Sequence, residues 1–258
     1  MKKVLIIFLV AIPSFVWGVW FAFPEHILKS FVEKSISTNE LSVEVESLKK
    51  GLFYSFTINR LTLLGRKEEL VYLNDISCSL QPWVLVFMNL RLSFNGQVSG
   101  GNMNGKMDIA RNKKHISLDF RDARIKNIPF FSIAGIKGDG SISGRFVMND
   151  NTGFIEFFSK DIALESAIFS GISVPLNYFQ KVIGSLNIRG KEIFINSVTL
   201  EGIDIYARIK GDIKDTFYNI NIELMPGKSF IDNPLFSEVL KRYEVSPGYY
   251  VVPLRGKL

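Results

Sequence analysis

From Leu41 to the C-terminus, apolar and polar residues alternate along the chain. Ile203, Ile205, Ala207, Ile209 and Ile213 interleave with Asp204, Tyr206, Arg208, Lys210 and Asp212. A period of two is that of a strand with one buried and one wetted face. Ile203, Ile205, Ile209 and Ile213 are therefore the candidate apolar face of a sheet. Tyr218, Ile220, Ile222 and Leu224 repeat the pattern, as do Ile116, Leu118 and Phe120. Tyr54, Phe56 and Ile58 open another strand. Its phase slips at Arg60 ahead of Leu61 and Leu63, which predicts a β-bulge.

The N-terminal region reads differently. Residues 4–23 carry no charge and follow Lys2 and Lys3. At ~1.5 Å per residue a helix of that length spans about 30 Å, the hydrocarbon thickness of a bilayer. The leading positive charges keep the N-terminus cytoplasmic, and Trp17 and Trp20 fall where indoles anchor at the membrane interface. The competing reading is a cleaved signal peptide ending near Gly18, but the apolar run continues past it. Pro24 and Glu25 then open a helix with Ile27, Leu28, Phe31, Val32 and Ile36 on one face. It lies either on the membrane or, the expected case, against the following domain. Three segments result: residues 1–23, a cytoplasmic start and transmembrane helix; 24–40, a juxtamembrane helix; and 41–258, a β-rich domain.

Within that domain Pro82, Pro129 and Pro175 recur at spacings of 46–47 residues. Each follows an extended segment and precedes a short apolar stretch and a glycine-punctuated strand. Short helical segments are expected at 83–88, 130–133, 176–182 and 233–243. A fixed period of this size implies stacked supersecondary units. The expected fold is mainly β: an elongated curved or sandwiched antiparallel sheet of repeated units with short helices. If one apolar face stays uncovered, it forms a trough for a ligand or partner. If two faces bury each other, the result is a closed sandwich.

Composition narrows the chemistry. The chain is 47% hydrophobic with 22 Phe, which excludes global disorder and favours strands. Net charge is +6, and Lys2 and Lys3 supply two of these charges. Nothing resembles a nucleic-acid-binding module. Cys78 is the single cysteine, so no intrachain disulfide forms. His26 and His115 stand outside any metal-binding or catalytic spacing. The run from Gly138 to Gly144 lacks the lysine of a phosphate loop and reads as strand glycines. No catalytic, metal or cofactor set is expected, and the chain does not read as an enzyme.

The order of features resembles the type II secretion system protein N family, also called general secretion pathway protein N. The matching features are the basic start, the apolar run, the Pro24-Glu25 helix, the glycine-punctuated strands and the ending Tyr249-Tyr250-Val251-Val252-Pro253-Leu254-Arg255-Gly256-Lys257-Leu258. Ile195-Asn196-Ser197-Val198-Thr199-Leu200-Glu201-Gly202 is similar to the AsmA-like repeats of bacterial envelope proteins. The resemblance implies a single-pass protein of the Gram-negative inner membrane with a periplasmic domain. It implies partners among secretion-system or envelope proteins, and a scaffolding role. The AsmA-like features imply the alternative: an apolar groove for phospholipid or lipopolysaccharide acyl chains between the two membranes.

Overall fold

The computed structural model describes residues 11, 14, 15, 17–37, 41–65, 68–81, 89–110, 113–133, 135–169, 172–214, 217–227 and 240–257. Among them, α1 (Glu25–Ile36) precedes strands β1 (Leu41–Val45), β2 (Leu48–Lys50), β3 (Ser55–Gly65), β4 (Glu68–Leu80), β5 (Leu90–Val98), β6 (Gly101–Ala110) and β7 (Lys113–Arg124). A short helix, α2 (Pro129–Ile133), leads to β8 (Ile136–Asn149), β9 (Thr152–Phe169), β10 (Ile172–Pro175), β11 (Phe179–Arg189) and β12 (Glu192–Gly202). β13 (Ile205–Lys214), β14 (Phe217–Pro226), β15 (Glu244–Ser246) and β16 (Tyr249–Lys257) complete the chain.

All sixteen strands belong to one antiparallel sheet. Its order is β1-β3-β4-β5-β6-β7-β8-β9-β11-β12-β13-β14-β16-β15, with β2 also on β3 and β10 also on β9. Sequence neighbours pair almost throughout because tight connections bring each strand back beside its predecessor. Ser99 and Gly100, both at positive φ, form the two-residue turn between β5 and β6, where a primed turn matches the twist of the strands. Among the described residues there is one sheet, and its first and last strands do not pair.

The bulge expected near Arg60 is present one strand away. In β3, Asn59 and Arg60 are both exposed between buried Ile58 and Leu61. The extra residue lies in β4, where Asp75 adopts φ 50° and the pairing with β5 shifts between Asn74 and Ser77. Asp122 of β7 has φ 57° at a matching shift against β8. These two aspartates stand seven residues ahead of Pro82 and Pro129, so the proline spacing has a bulge spacing beside it.

Other expectations are corrected. The helix expected at 176–182 is a turn followed by β11, which starts at Phe179. A short apolar run has no periodicity to separate helix from strand. Pro175 ends β10, which folds back on β9, whereas Pro129 opens α2, so the units are not equivalent. Tyr54 sits in the turn before β3 at φ 59° rather than in the strand. The helix at 130–133 is found, as α2. The expected segments at 83–88 and 233–239 lie outside the described residues, and Lys241–Tyr243 is one turn of 3-10 helix.

Among the described residues no helix is long and apolar enough to cross a membrane. Much of the apolar N-terminal run, residues 4–10, 12, 13 and 16, lies outside them. Residues 17–22 are helical and lead into α1.

Two apolar clusters hold the sheet. One packs Leu28 of α1 and Trp20 against Val43, Val45, Leu48, Phe56, Ile58, Leu61, Ile76 and Met103. The other joins Ile125, Leu164, Leu176, Phe179, Ile205, Ala207, Leu240 and Tyr250. Ile142 touches both. The chain exposes 16885 Å², against roughly 11,500 Å² for a compact monomer of this mass.

Candidate functional site

The pairing register sorts the alternating residues onto two faces. Met107 pairs with Ile116, Ile116 with Met148 and Met148 with Gly153. Gly153 pairs with Ile188, and Ile188 with Ile193. Ile193 pairs with Ile213, Ile213 with Tyr218 and Tyr218 with Gly256. Direct cross-strand partners project on the same side, so this row is one apolar face continuing from β6 to β16. The bulges keep it so. Each extra residue restores the phase where twist would otherwise turn an apolar side chain to the wet side.

Half of this face is covered. The connection carrying α2, together with Leu176 and Leu240, packs over the end where β7, β9 and β14 finish. Among the described residues the opposite half is only partly covered. Ile109, Ile116, Phe146, Ile155, Ile188, Ile193, Ile195, Ile213 and Ile220 are all partly exposed there. From β5 to β16 the strip crosses ten strands, about 43 Å at ~4.8 Å per strand. One leaflet of a bilayer is about 15 Å deep, so the strip is long enough for acyl chains.

Its surface is built in a particular way. Phe94 faces Gly105, Phe120 faces Gly144, Phe157 faces Gly184 and Tyr218 faces Gly256 as direct cross-strand partners. At each of these glycines an added Cβ would come closer than 3.0 Å to the partner's ring. The rings therefore lie across the glycine backbones instead of standing off the sheet. The result is a smooth apolar floor in which ring faces replace projecting side chains.

The other face carries cross-strand ion pairs, with Phe158 and Ile183 exposed among them. Arg91 bonds Asp108 at 2.6 Å, Arg145 bonds Asp119 at 2.7 Å, Lys181 bonds Glu201 at 2.7 Å and Lys210 bonds Glu223 at 3.1 Å. The Arg91–Asp108 and Arg145–Asp119 pairs are exposed and add little stability, while Glu223 is half-buried beneath Lys210. Asp119 raises the affinity of the Arg145 guanidinium for its proton. The Lys126 ammonium, then the Gly140 N–H, hold the Asp139 carboxyl below the ordinary carboxylate range. Two open concavities of about 540 and 740 Å³ lie on this face, lined by Ser77, Ser93, Asn104 and Ser117 in one and Arg121, Ser143, Arg145 and Glu156 in the other. Among the described residues no group of His, Cys, Asp and Glu is placed to hold a metal. His115 Nδ1 lies 2.6 Å from Asn149 Oδ1 on the exposed rim.

The residues expected from sequence separate on inspection. Ile205 and Ala207 are buried in the second cluster, and Ile209 and Ile213 continue their face in β13. Ile203 does not belong to it: it is 88% exposed in the bend before β13. Its parity matches by accident, because alternation continued across a Gly202–Asp204 turn. Trp17 is exposed, but Trp20 is only 6% exposed and is part of the domain core. Its indole N–H donates to the Gly51 carbonyl at 3.0 Å and its ring packs 5.2 Å from Tyr54. The Lys50 ammonium lies 5.6 Å from the Trp20 ring and donates to the carbonyls of Trp20, Phe21 and Phe23 at 2.9, 3.0 and 2.5 Å. This lysine satisfies the carbonyls at the end of the N-terminal helix.

Sequence reading missed the role of α1 at the first sheet edge. Ser37 Oγ accepts the Val43 N–H at 3.0 Å, Glu33 Oε1 that of Val45 at 3.1 Å and Glu25 Oε1 that of Lys50 at 2.9 Å. These residues recur at multiples of four along the helix, so one polar stripe satisfies the outward N–H groups of β1 and β2. An edge covered this way cannot template another strand. The signal was the spacing of Glu25, Glu33 and Ser37, which has no meaning until the helix lies beside that edge.

No protein-family model matches the chain, nor does any curated protein or solved structure.

Proposed function

We propose that this is a membrane-anchored envelope protein whose sheet binds lipid acyl chains along its open apolar strip. The observation that carries the reading is that strip: an unsealed apolar face about 43 Å long, floored by rings lying on glycines, opposite a face laced with ion pairs. A surface of this size and uniformity has no directional polar groups with which to select a peptide, and it suits a chain of methylenes. Each methylene removed from water contributes about 0.8 kcal/mol. The cargo class is phospholipid or lipopolysaccharide, and the role is to hold or pass lipid between inner and outer membranes. The N-terminal apolar run fixes the protein in the inner membrane, with the sheet on the periplasmic side.

Native mass spectrometry of the full-length chain tests this reading. Bound phospholipid or lipopolysaccharide is expected, and Ile195→Asp with Ile220→Asp removes it while Arg91→Gln on the wet face does not. A lipid-free mass, or equal lipid in both variants, overturns the reading.

A scaffold in type II secretion is the second reading. It is favoured by the outer edge of β16, of which, among the described residues, β15 pairs only Tyr249 and Tyr250, and an edge of this kind can accept a partner strand. Pro253 interrupts that edge and weakens the case. Loss of exoprotein release on gene deletion, with lipid content of the outer membrane unchanged, would favour the scaffold over lipid carriage.

A further inference from the structure

The geometry points to a second membrane contact: the tip of the β2–β3 hairpin, Leu52 and Phe53, inserts into the bilayer surface beside the N-terminal helix. This rests on the anchored reading above and adds a fixed orientation to it.

Leu52 and Phe53 are 59% and 75% exposed, two large apolar side chains side by side at a turn. The Ser55 N–H closes that turn on the Leu52 carbonyl at 3.3 Å. Its two central residues, Phe53 and Tyr54, have φ of 54° and 59°. Both positions favour asparagine or glycine, and bulky side chains are disfavoured there. Strain of this kind persists where the surroundings hold it and often marks a working surface. Tyr54 has a structural reason for its conformation, since its ring packs on Trp20. Phe53 points outward and takes no part in either apolar cluster.

The occupant follows from what the tip is attached to. Gly51, the residue before Leu52, accepts the Trp20 indole N–H, and Lys50 holds three carbonyls at the end of the apolar run. The tip is thus tied to the point where residues 4–23 meet the domain. Phe21 and Phe23 are exposed at the same junction. Lys49 is exposed one residue further along β2, at the height where an anionic headgroup would sit. Apolar side chains at the end of a membrane-bound helix, followed by a lysine, match the layering of a bilayer from acyl boundary to headgroup. With two tethers the sheet cannot swivel about a single helix.

The test uses the full-length protein in phosphatidylcholine–phosphatidylglycerol vesicles. Leu52→Cys carries an environment-sensitive fluorophore, and Ile203→Cys, exposed at the opposite end of the strands, is the control. Native Cys78 is buried and stays unlabelled. Lipids bearing a nitroxide near the headgroup end of the acyl chain report depth, and alkaline extraction reports retention of the chain. Retention with several-fold stronger quenching at position 52 than at 203 supports the contact. Retention with equal quenching overturns it and leaves the anchor standing. Loss of the chain on extraction overturns both, and a tip buried by a second copy would give a blue-shifted but unquenched label, which also overturns it.

Discussion

Gly184→Ala probes the floor of the apolar strip directly. The added Cβ would come closer than 3.0 Å to three atoms of the Phe157 ring, whereas carbon atoms rest at about 3.5–4.0 Å. The ring must move by ~1 Å or more, and because it is the far end of a flexible side chain it does so by rising off the sheet. A phenylalanine buries about 150–250 Å². Surrendering roughly a quarter of that, ~50 Å², costs about 1.3 kcal/mol at ~25 cal/mol per Å². Replacing a strand glycine by alanine returns about 0.5–1 kcal/mol. The net change in stability is therefore small, about 0–1 kcal/mol, or a melting temperature lower by no more than ~4 °C. Lipid binding responds far more. A raised ring displaces some three to five methylenes, about 2.4–4 kcal/mol, which is a roughly 50- to 700-fold loss of affinity. Thermal melts and lipid retention by native mass spectrometry are read together on the wild type, Gly184→Ala, Phe157→Ala and the double variant. The cycle should give a clear coupling between the two positions. No coupling, or a Gly184→Ala variant that melts little changed and keeps its lipid, would refute the account of the floor.

Other outcomes follow from single observations. Ile203→Asp should leave the melting temperature within ~1 °C, while Ile205→Ala, two residues on but buried, should cost about 2–4 kcal/mol in urea unfolding. Burial pushes the Cys78 thiol up to about 12, so at pH 8 a thiol reagent should modify it only in denaturant, and rapid modification of the native protein would contradict its packing. Asp139 has a folded-state affinity for protons below its unfolded value, through Lys126 and the Gly140 N–H. Its contribution is present above the unfolded carboxylate range and is lost as pH falls below it, so Asp139→Asn should lower the urea midpoint slightly at neutral pH, meet the wild-type value in acid, and so flatten the profile between them. Lys50→Met removes the ammonium donor from the carbonyls of Trp20, Phe21 and Phe23, of which Trp20 keeps the Phe23 N–H. A red shift of tryptophan emission and a loss of about 1–3 kcal/mol are expected, and unchanged emission would show that Lys50 does not hold the junction.

Local patterning determined the class of this protein. Strict alternation in β7, β13 and β14 specifies strands with one apolar side whatever their neighbours, because side chains of a strand point to opposite faces in turn. The phase slip at Arg60 and the glycine-rich stretch of β8 were legible for the same reason. What alternation cannot carry is partnership. The bulge that answers the Arg60 slip sits in β4, and Ile203 shares the parity of its neighbours yet falls in a bend. Trp20 lies in an apolar run but packs in the domain, because Gly51 and Tyr54 are brought to it from some thirty residues away. Whether two apolar faces seal each other or one stays open is likewise a matter of which strands pair. The rings of Phe94, Phe120, Phe157 and Tyr218 meet glycines on other strands only through register, a long-range quantity set by turns and bulges together. The chain wrote the apolar face residue by residue, and the pairing of distant strands made it one surface.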